Sequence, residues 1–88
     1  MEQPTEDRPS GSELVGRDAD LLKLLESRRG TVVTREEIGA GLWPELVESG
    51  LADQVIDESI GRIRANIGDD PVDPARIISA GDAGFLLA

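Results

Sequence analysis

Four isoleucines, Ile56, Ile60, Ile63 and Ile67, recur at intervals of four, three and four residues. On a helix of about 3.6 residues per turn that spacing draws one unbroken apolar stripe, whereas a strand, with its period of two, would scatter the same residues over both faces. Asp53 stands where a side-chain cap belongs, and Gly68 is the residue that ends helices in a left-handed turn. A helix over residues 53–67, isoleucines inward, therefore anchors the fold. Asp57, Gly61 and Arg64 share an outward stripe, and Glu58 and Arg62 are spaced for a surface ion pair.

The remaining pattern fits around that helix. Over residues 17–29, Leu21, Leu22, Leu24 and Leu25 form one apolar face, with Asp18 and Asp20 early and Arg28 and Arg29 late, and Gly30 supplies the stop. Thr31, Val32 and Val33 make one short β-branched strand. Thr34 and Glu37 form a capping box opening a second helix that carries Ile38, Leu42 and Trp43 and ends at Pro44. Residues 45–52 allow one short helical turn around Leu46 and Val47, broken at Gly50. Gly39, Gly41 and Gly61 each cost a helix about 1 kcal/mol relative to alanine, which close helix packing would explain.

After Asp69, Asp70 and Pro71, two apolar runs at residues 76–79 and 85–88 flank a Gly-Asp turn and read as a hairpin. Residues 1–13 have no apolar period and are expected to be a disordered head or linker, leaving 14–88 as one domain. The order helix, strand, helix, helix, hairpin lets the lone strand pair with the hairpin. The expected fold is α+β: a winged helix-turn-helix, three helices with a small antiparallel sheet ending in a C-terminal wing.

Composition narrows the function. The chain has no histidine, cysteine or tyrosine, and Lys23 is its one lysine. The usual general base, thiol nucleophile and most transition-metal ligands are thus missing, and Ser59 and Ser79 have no histidine to activate them. No enzyme activity, cofactor or small-molecule substrate is expected. Gly81 and Gly84 fit no phosphate-loop pattern, and Asp69, Asp70 and Asp73 lack EF-hand spacing, so a solvated turn and no metal are expected. No apolar run approaches the roughly 20 residues of a membrane span, and the N-terminus is acidic where a secretory signal is basic, so a cytoplasmic protein without a membrane partner is expected. Against a nucleic-acid partner stands the formal charge of −9 and a pI near 4.3.

The segments LLKLLESRRGTVVTREEIGAGLW and SIGRIRANIGDDPVDPARIISAGDAGF resemble the first two helices, and the recognition helix and wing, of the C-terminal effector domains of OmpR/PhoB-type response-regulator transcription factors; IRANIGDDPVDPARII is the most specific stretch. The resemblance implies a DNA-binding domain of a transcriptional regulator. Its recognition helix, residues 53–67, would enter the major groove and its wing, residues 76–88, would touch the adjacent minor groove. It points to Gln54, Glu58, Ser59, Gly61, Arg62 and Arg64 on the helix and Gly81 on the wing as DNA-binding positions. Double-stranded DNA is the implied partner. The loop bearing Glu45, Leu46, Glu48 and Leu51 is implied as a contact for RNA polymerase or another protein.

Three departures accompany the likeness. The family has a small antiparallel sheet before its first helix, for which residues 1–13 carry no pattern. From Asp53 to Gly68, three acids face two arginines. At the wing, the family's arginine aligns with Gly81, followed by Asp82. Residues 14–88 alone carry 14 acids and 8 bases, a net −6. A second reading stays open beside DNA binding, a winged-helix module repurposed for protein-protein interaction. Trp43 with Leu46 and Leu51 would then be a partner patch, although filling of the core accounts for Trp43 as well.

Overall fold

The computed structural model describes residues 14–70 and 74–88. The expected disordered head, residues 1–13, and Pro71 and Asp73 of the turn lie outside the described residues. The elements run α1 (Gly16–Ser27), β1 (Val33–Thr34), α2 (Arg35–Leu42), α3 (Pro44–Val47), α4 (Ala52–Ile67), β2 (Ile77–Ser79) and β3 (Gly84–Leu87). The strands form one antiparallel sheet in the order β1-β3-β2, with Val33 opposite Phe85, Thr34 opposite Gly84, and Ile77, Ile78 and Ser79 opposite Leu87, Leu86 and Phe85. This is the expected winged helix, with a single-turn fourth helix added where Pro44, suited to a first helical turn, starts a new helix as α2 closes.

Three of the four isoleucines of the α4 stripe are fully inside: Ile56 and Ile63 are 0% exposed and Ile60 1%. Ile67, at the fraying end, is only half-buried against the same core. They meet Leu21 and Leu25 from α1, Ile38 from α2, Val33, Ile77, Phe85 and Leu87 from the sheet, and Trp43, which fills the core at the α2–α3 corner. Gly68, at φ 75°, closes α4 as expected, its successor Asp69 donating its N–H to the Arg64 carbonyl at 2.8 Å.

Several local expectations shift. The Thr34 capping box is present, Glu37 N–H donating to Thr34 Oγ1 at 3.0 Å and Thr34 N–H to Glu37 Oε1 at 3.1 Å. Asp53, by contrast, does not cap α4: Leu51 holds that position without a side-chain bond, and Asp53 sits in the first turn facing Arg35. Helix α1 stops at Ser27, so Arg28 caps it instead of occupying its last turn. Gly30, at φ 82°, donates its N–H to the Leu87 carbonyl at 2.8 Å, and β1 begins two residues later and ends one residue later than its β-branched run suggests. Of the three helix glycines, only Gly39 is packed close: a Cβ there would lie 3.5 Å from Ala52, whereas Gly41 and Gly61 face open space.

Candidate nucleic-acid interface

The outer side of α4 presents Asp53, Gln54, Asp57, Glu58, Gly61, Arg62 and Ala65 to solvent. Its polar residues are mostly bound within the fold. Gln54 donates to Glu58 at 3.4 Å, which occupies the carboxylate expected to pair with Arg62. Arg62 reaches across to α1 and binds Asp18 with both its Nε, at 2.6 Å, and its Nη2, at 3.0 Å. Two parallel bonds to one carboxylate fix the plane of the guanidinium, although its side chain remains 57% exposed.

Ser59 is 0% exposed and donates its hydroxyl to the same Asp18. It therefore belongs to the α1–α4 seam and has no hydroxyl to offer a ligand, contrary to its place among the implied DNA contacts. Arg62 and Ser59 together hold the Asp18 carboxyl below its ordinary range: the bond from Arg62 acts most strongly, burial opposes it, and Ser59 adds to it.

Arg64 turns the other way. Its Nη2 donates to the Ile77 carbonyl at 2.8 Å and to Ser79 Oγ at 3.3 Å, tying α4 to β2. Beside it, Asp69 is 7% exposed, and its carboxylate accepts backbone N–H bonds from Asp70, Ala75, Arg76 and Ile77 at 2.9–3.2 Å. Burial pushes the Asp69 carboxyl up, but the bonds from Ile77, Ala75, Arg76 and Asp70 outweigh it and leave the group below its usual range. Asp69 is thus no solvated turn residue; its bonds to Ala75, Arg76 and Ile77 tie the end of α4 to the start of β2. The consequence is one unit in which the outer side of α4 and the hairpin keep a fixed relation.

At the hairpin tip, the Ala83 N–H donates to the Ala80 carbonyl at 3.0 Å, and Gly81, at φ 58°, is exposed next to the exposed Asp82. Residues 80–83 of the tip themselves carry no cation. Arg35, at the head of α2, lies 5.0 Å over the Phe85 ring and pairs with Asp57 at 2.7 Å and Asp53 at 3.6 Å. Arg35, Arg62 and Arg64 are therefore each engaged within the fold, while Glu58 and Asp82 remain exposed without an ion pair among the described residues.

The implied partner loop divides. Glu45 pairs with Arg17, whose guanidinium also lies 6.0 Å from the Trp43 ring. Leu46 packs against the core, while Glu48 is exposed and Leu51 is 50% exposed. Among the described residues, no three His, Cys, Asp or Glu side chains converge as a metal site requires, and no helix is long and apolar enough to cross a membrane.

Sequence reasoning found Arg62 and Arg64 but missed Asp18, Asp69 and Arg35. Their signal lies in partners as far as 44 residues away, which no local period displays.

Residues 10–87 match the family model described as the C-terminal domain of transcriptional regulatory proteins. Among curated relatives, the probable transcriptional regulators ycf27 of Porphyridium aerugineum and Porphyra purpurea are each 36% identical over 74 residues, or 84% of this chain. The chain spans 31% and 30% of their lengths, about a third. The crystal structure of the Klebsiella pneumoniae RstA DNA-binding domain in complex with RstA box superposes with a TM-score of 0.72 at 25% identity, covering 88% of this chain and 74% of that one.

Proposed function

The chain belongs to the C-terminal, OmpR/PhoB-type DNA-binding domains of transcriptional regulatory proteins, and we propose that it holds duplex DNA with the outer side of α4 in the major groove and the β2–β3 turn against the neighbouring minor groove. The observation that carries this reading is the brace of Arg64 and Asp69, which presents Gln54, Glu58, Gly61 and the tip glycine Gly81 as parts of one rigid surface. A helix and a hairpin held in fixed register suit a duplex, whose grooves are spaced in fixed register too. That the similar RstA DNA-binding domain forms a complex with RstA box supports a duplex as the ligand.

Within that surface the roles differ. Arg62, exposed and already planar, can exchange Asp18 for a phosphate or a guanine edge. Arg64 acts as the brace, and Ser59 supports Asp18. Gln54 and Glu58 meet base edges, while Gly61 allows the phosphate backbone to come close. With three acids and two arginines on α4, affinity is low and rests on few phosphate contacts. The wider protein is a cytoplasmic regulator, in which the half-exposed Val47 and Leu51 of the α3 loop touch RNA polymerase or another protein.

The test is selection of duplexes from a random pool, followed by fluorescence anisotropy over a salt series. Binding should weaken steeply with salt, and Arg62→Ala should lower the log-log slope by about 1. Failure to enrich any duplex at low salt would refute the reading. The second reading, a module repurposed for protein recognition, is favoured by one observation, the acidic hairpin tip beside an outer side of α4 whose one exposed arginine, Arg62, is already bound to Asp18.

A further inference from the structure

Arg62 is the one exposed cation of α4, and the carboxylate that holds it comes from a different helix. Asp18 stands in the first turn of α1, its side chain 17% exposed, and takes the Nε and Nη2 edge of the guanidinium at 2.6 and 3.0 Å. Glu58, one turn before Arg62, acts on the same guanidinium with a second negative charge. A cation neutralised in this way offers an approaching phosphate a pair with no net charge, and so releases few counterions from a duplex. Asp18 has support besides Arg62. The buried Ser59 hydroxyl donates to it, and the first turn of a helix favours a negative charge. Arg62 can therefore leave without stranding an unpaired buried carboxylate, and its own side chain, 57% exposed, already faces solvent.

We propose that Asp18 is a built-in competitor for the duplex, an affinity-limiting residue on α1 that masks Arg62 until a DNA group displaces it. The inference rests on the duplex reading and deepens it, by naming the residue outside α4 that sets how tightly α4 binds. Each binding event must break the two Asp18 bonds before Arg62 can make its own, so part of the contact energy is cancelled within the protein. The opposite role is a fixed buttress, in which Asp18 keeps its grip while the far edge of the guanidinium meets DNA. The two roles differ in sign: removing a competitor tightens binding, and removing a buttress weakens it.

The test compares the full chain with Asp18→Asn, Asp20→Asn and Arg62→Ala on one selected duplex, by fluorescence anisotropy at about 0.1 M salt. Asp18→Asn should bind about fivefold more tightly than the parent even though it melts lower for want of the pair. Asp20→Asn, an exposed position on the same helix, changes the net charge equally and should gain less than about twofold. In the Arg62→Ala background Asp18→Asn should lose its advantage over Asp20→Asn. A merely structural role for Asp18 predicts weaker binding along with the weaker fold. The parent supplies a second readout should Asp18→Asn not fold: the Arg62 Nε–H resonance of isotopically labelled chain should shift as duplex saturates it, because its acceptor changes. An Asp18→Asn chain that binds no more tightly than Asp20→Asn, or an Arg62 Nε–H resonance that stays in place in the complex, would overturn the proposal. A parent that binds while Asp18→Asn binds no better sinks this inference alone. No duplex bound by any of the chains sinks the DNA reading and this inference with it.

Discussion

Replacing Gly84 by alanine puts one methyl group where the sheet has no room. The added Cβ would fall 2.1 Å from the Val33 carbonyl oxygen and 2.8 Å from Thr34 Cα, both backbone atoms of β1. Nonbonded heavy atoms settle at about 3.5 Å, so β1 and β3 must part by roughly 1 Å. Gly84 pairs with Thr34 and the next residue, Phe85, with Val33, so both pairs of this short ladder are disturbed. Phe85 and Val33, 3% and 0% exposed, are drawn from the core with them. Overpacking of this kind costs about 1–3 kcal/mol, and a strained ladder bond about 1 kcal/mol more. A loss of about 3 kcal/mol should lower the melting temperature by roughly 12–24 °C in a domain of this size. Thermal melts followed by circular dichroism check it, with Gly81→Ala as the matched control. Gly81 has nothing within 4 Å, so alanine there meets only the strain of φ 58°, about 1 kcal/mol. A Gly84→Ala protein melting within about 3 °C of the parent, or below it by less than the Gly81 variant, would refute the reasoning.

Other outcomes follow from the same geometry. Gly61→Ala, mid-helix and facing open space, should stabilise the chain by about 0.5–1 kcal/mol in urea unfolding. Gly61→Arg should steepen the salt dependence of DNA binding by about one unit of slope, read by anisotropy. Arg64→Ala should free the hairpin from α4, seen as faster hydrogen exchange at residues 77–79 with α1 unchanged. Asp18 and Asp69 are held below their ordinary carboxylate range when folded, so their stabilisation is full above the unfolded value near 4 and is lost as pH falls through the lower folded values. Acid titration should therefore show the parent losing stability below about pH 4, and a D18N/D69N chain, less stable near neutrality, should lose less on acidification.

The outline of the fold was legible because its strongest signals are local. The isoleucine spacing of α4, the Thr34–Glu37 box and the paired apolar runs around the Gly81 turn each declare their element within a few residues. What escaped was set at a distance. Asp53 has the chemistry of a cap, yet the cap falls two residues earlier at Leu51, and Asp53 faces Arg35 from the first turn. The strand around Val33 is bounded by its pairing with Phe85 and Gly84 of β3, which its own β-branched residues do not announce. At the interface, Arg62 and Arg64 were visible as cations, but their tasks were not. Only the fold shows one gripped by Asp18 and the other bracing β2. Asp69 looked like a loop acid because four backbone donors around one carboxylate leave no trace in a linear pattern.

The most direct test of α4 and the hairpin as one DNA-facing unit uses the absence of native cysteine. Single cysteines at Ala65 on the outer side of α4, at Asp82 on the hairpin turn and at Lys23 on α1 can each carry a photo-crosslinker against a selected duplex. Crosslinks from positions 65 and 82, with none from 23, are the expected result. Crosslinking from position 23 alone, or from 65 without 82, would contradict it.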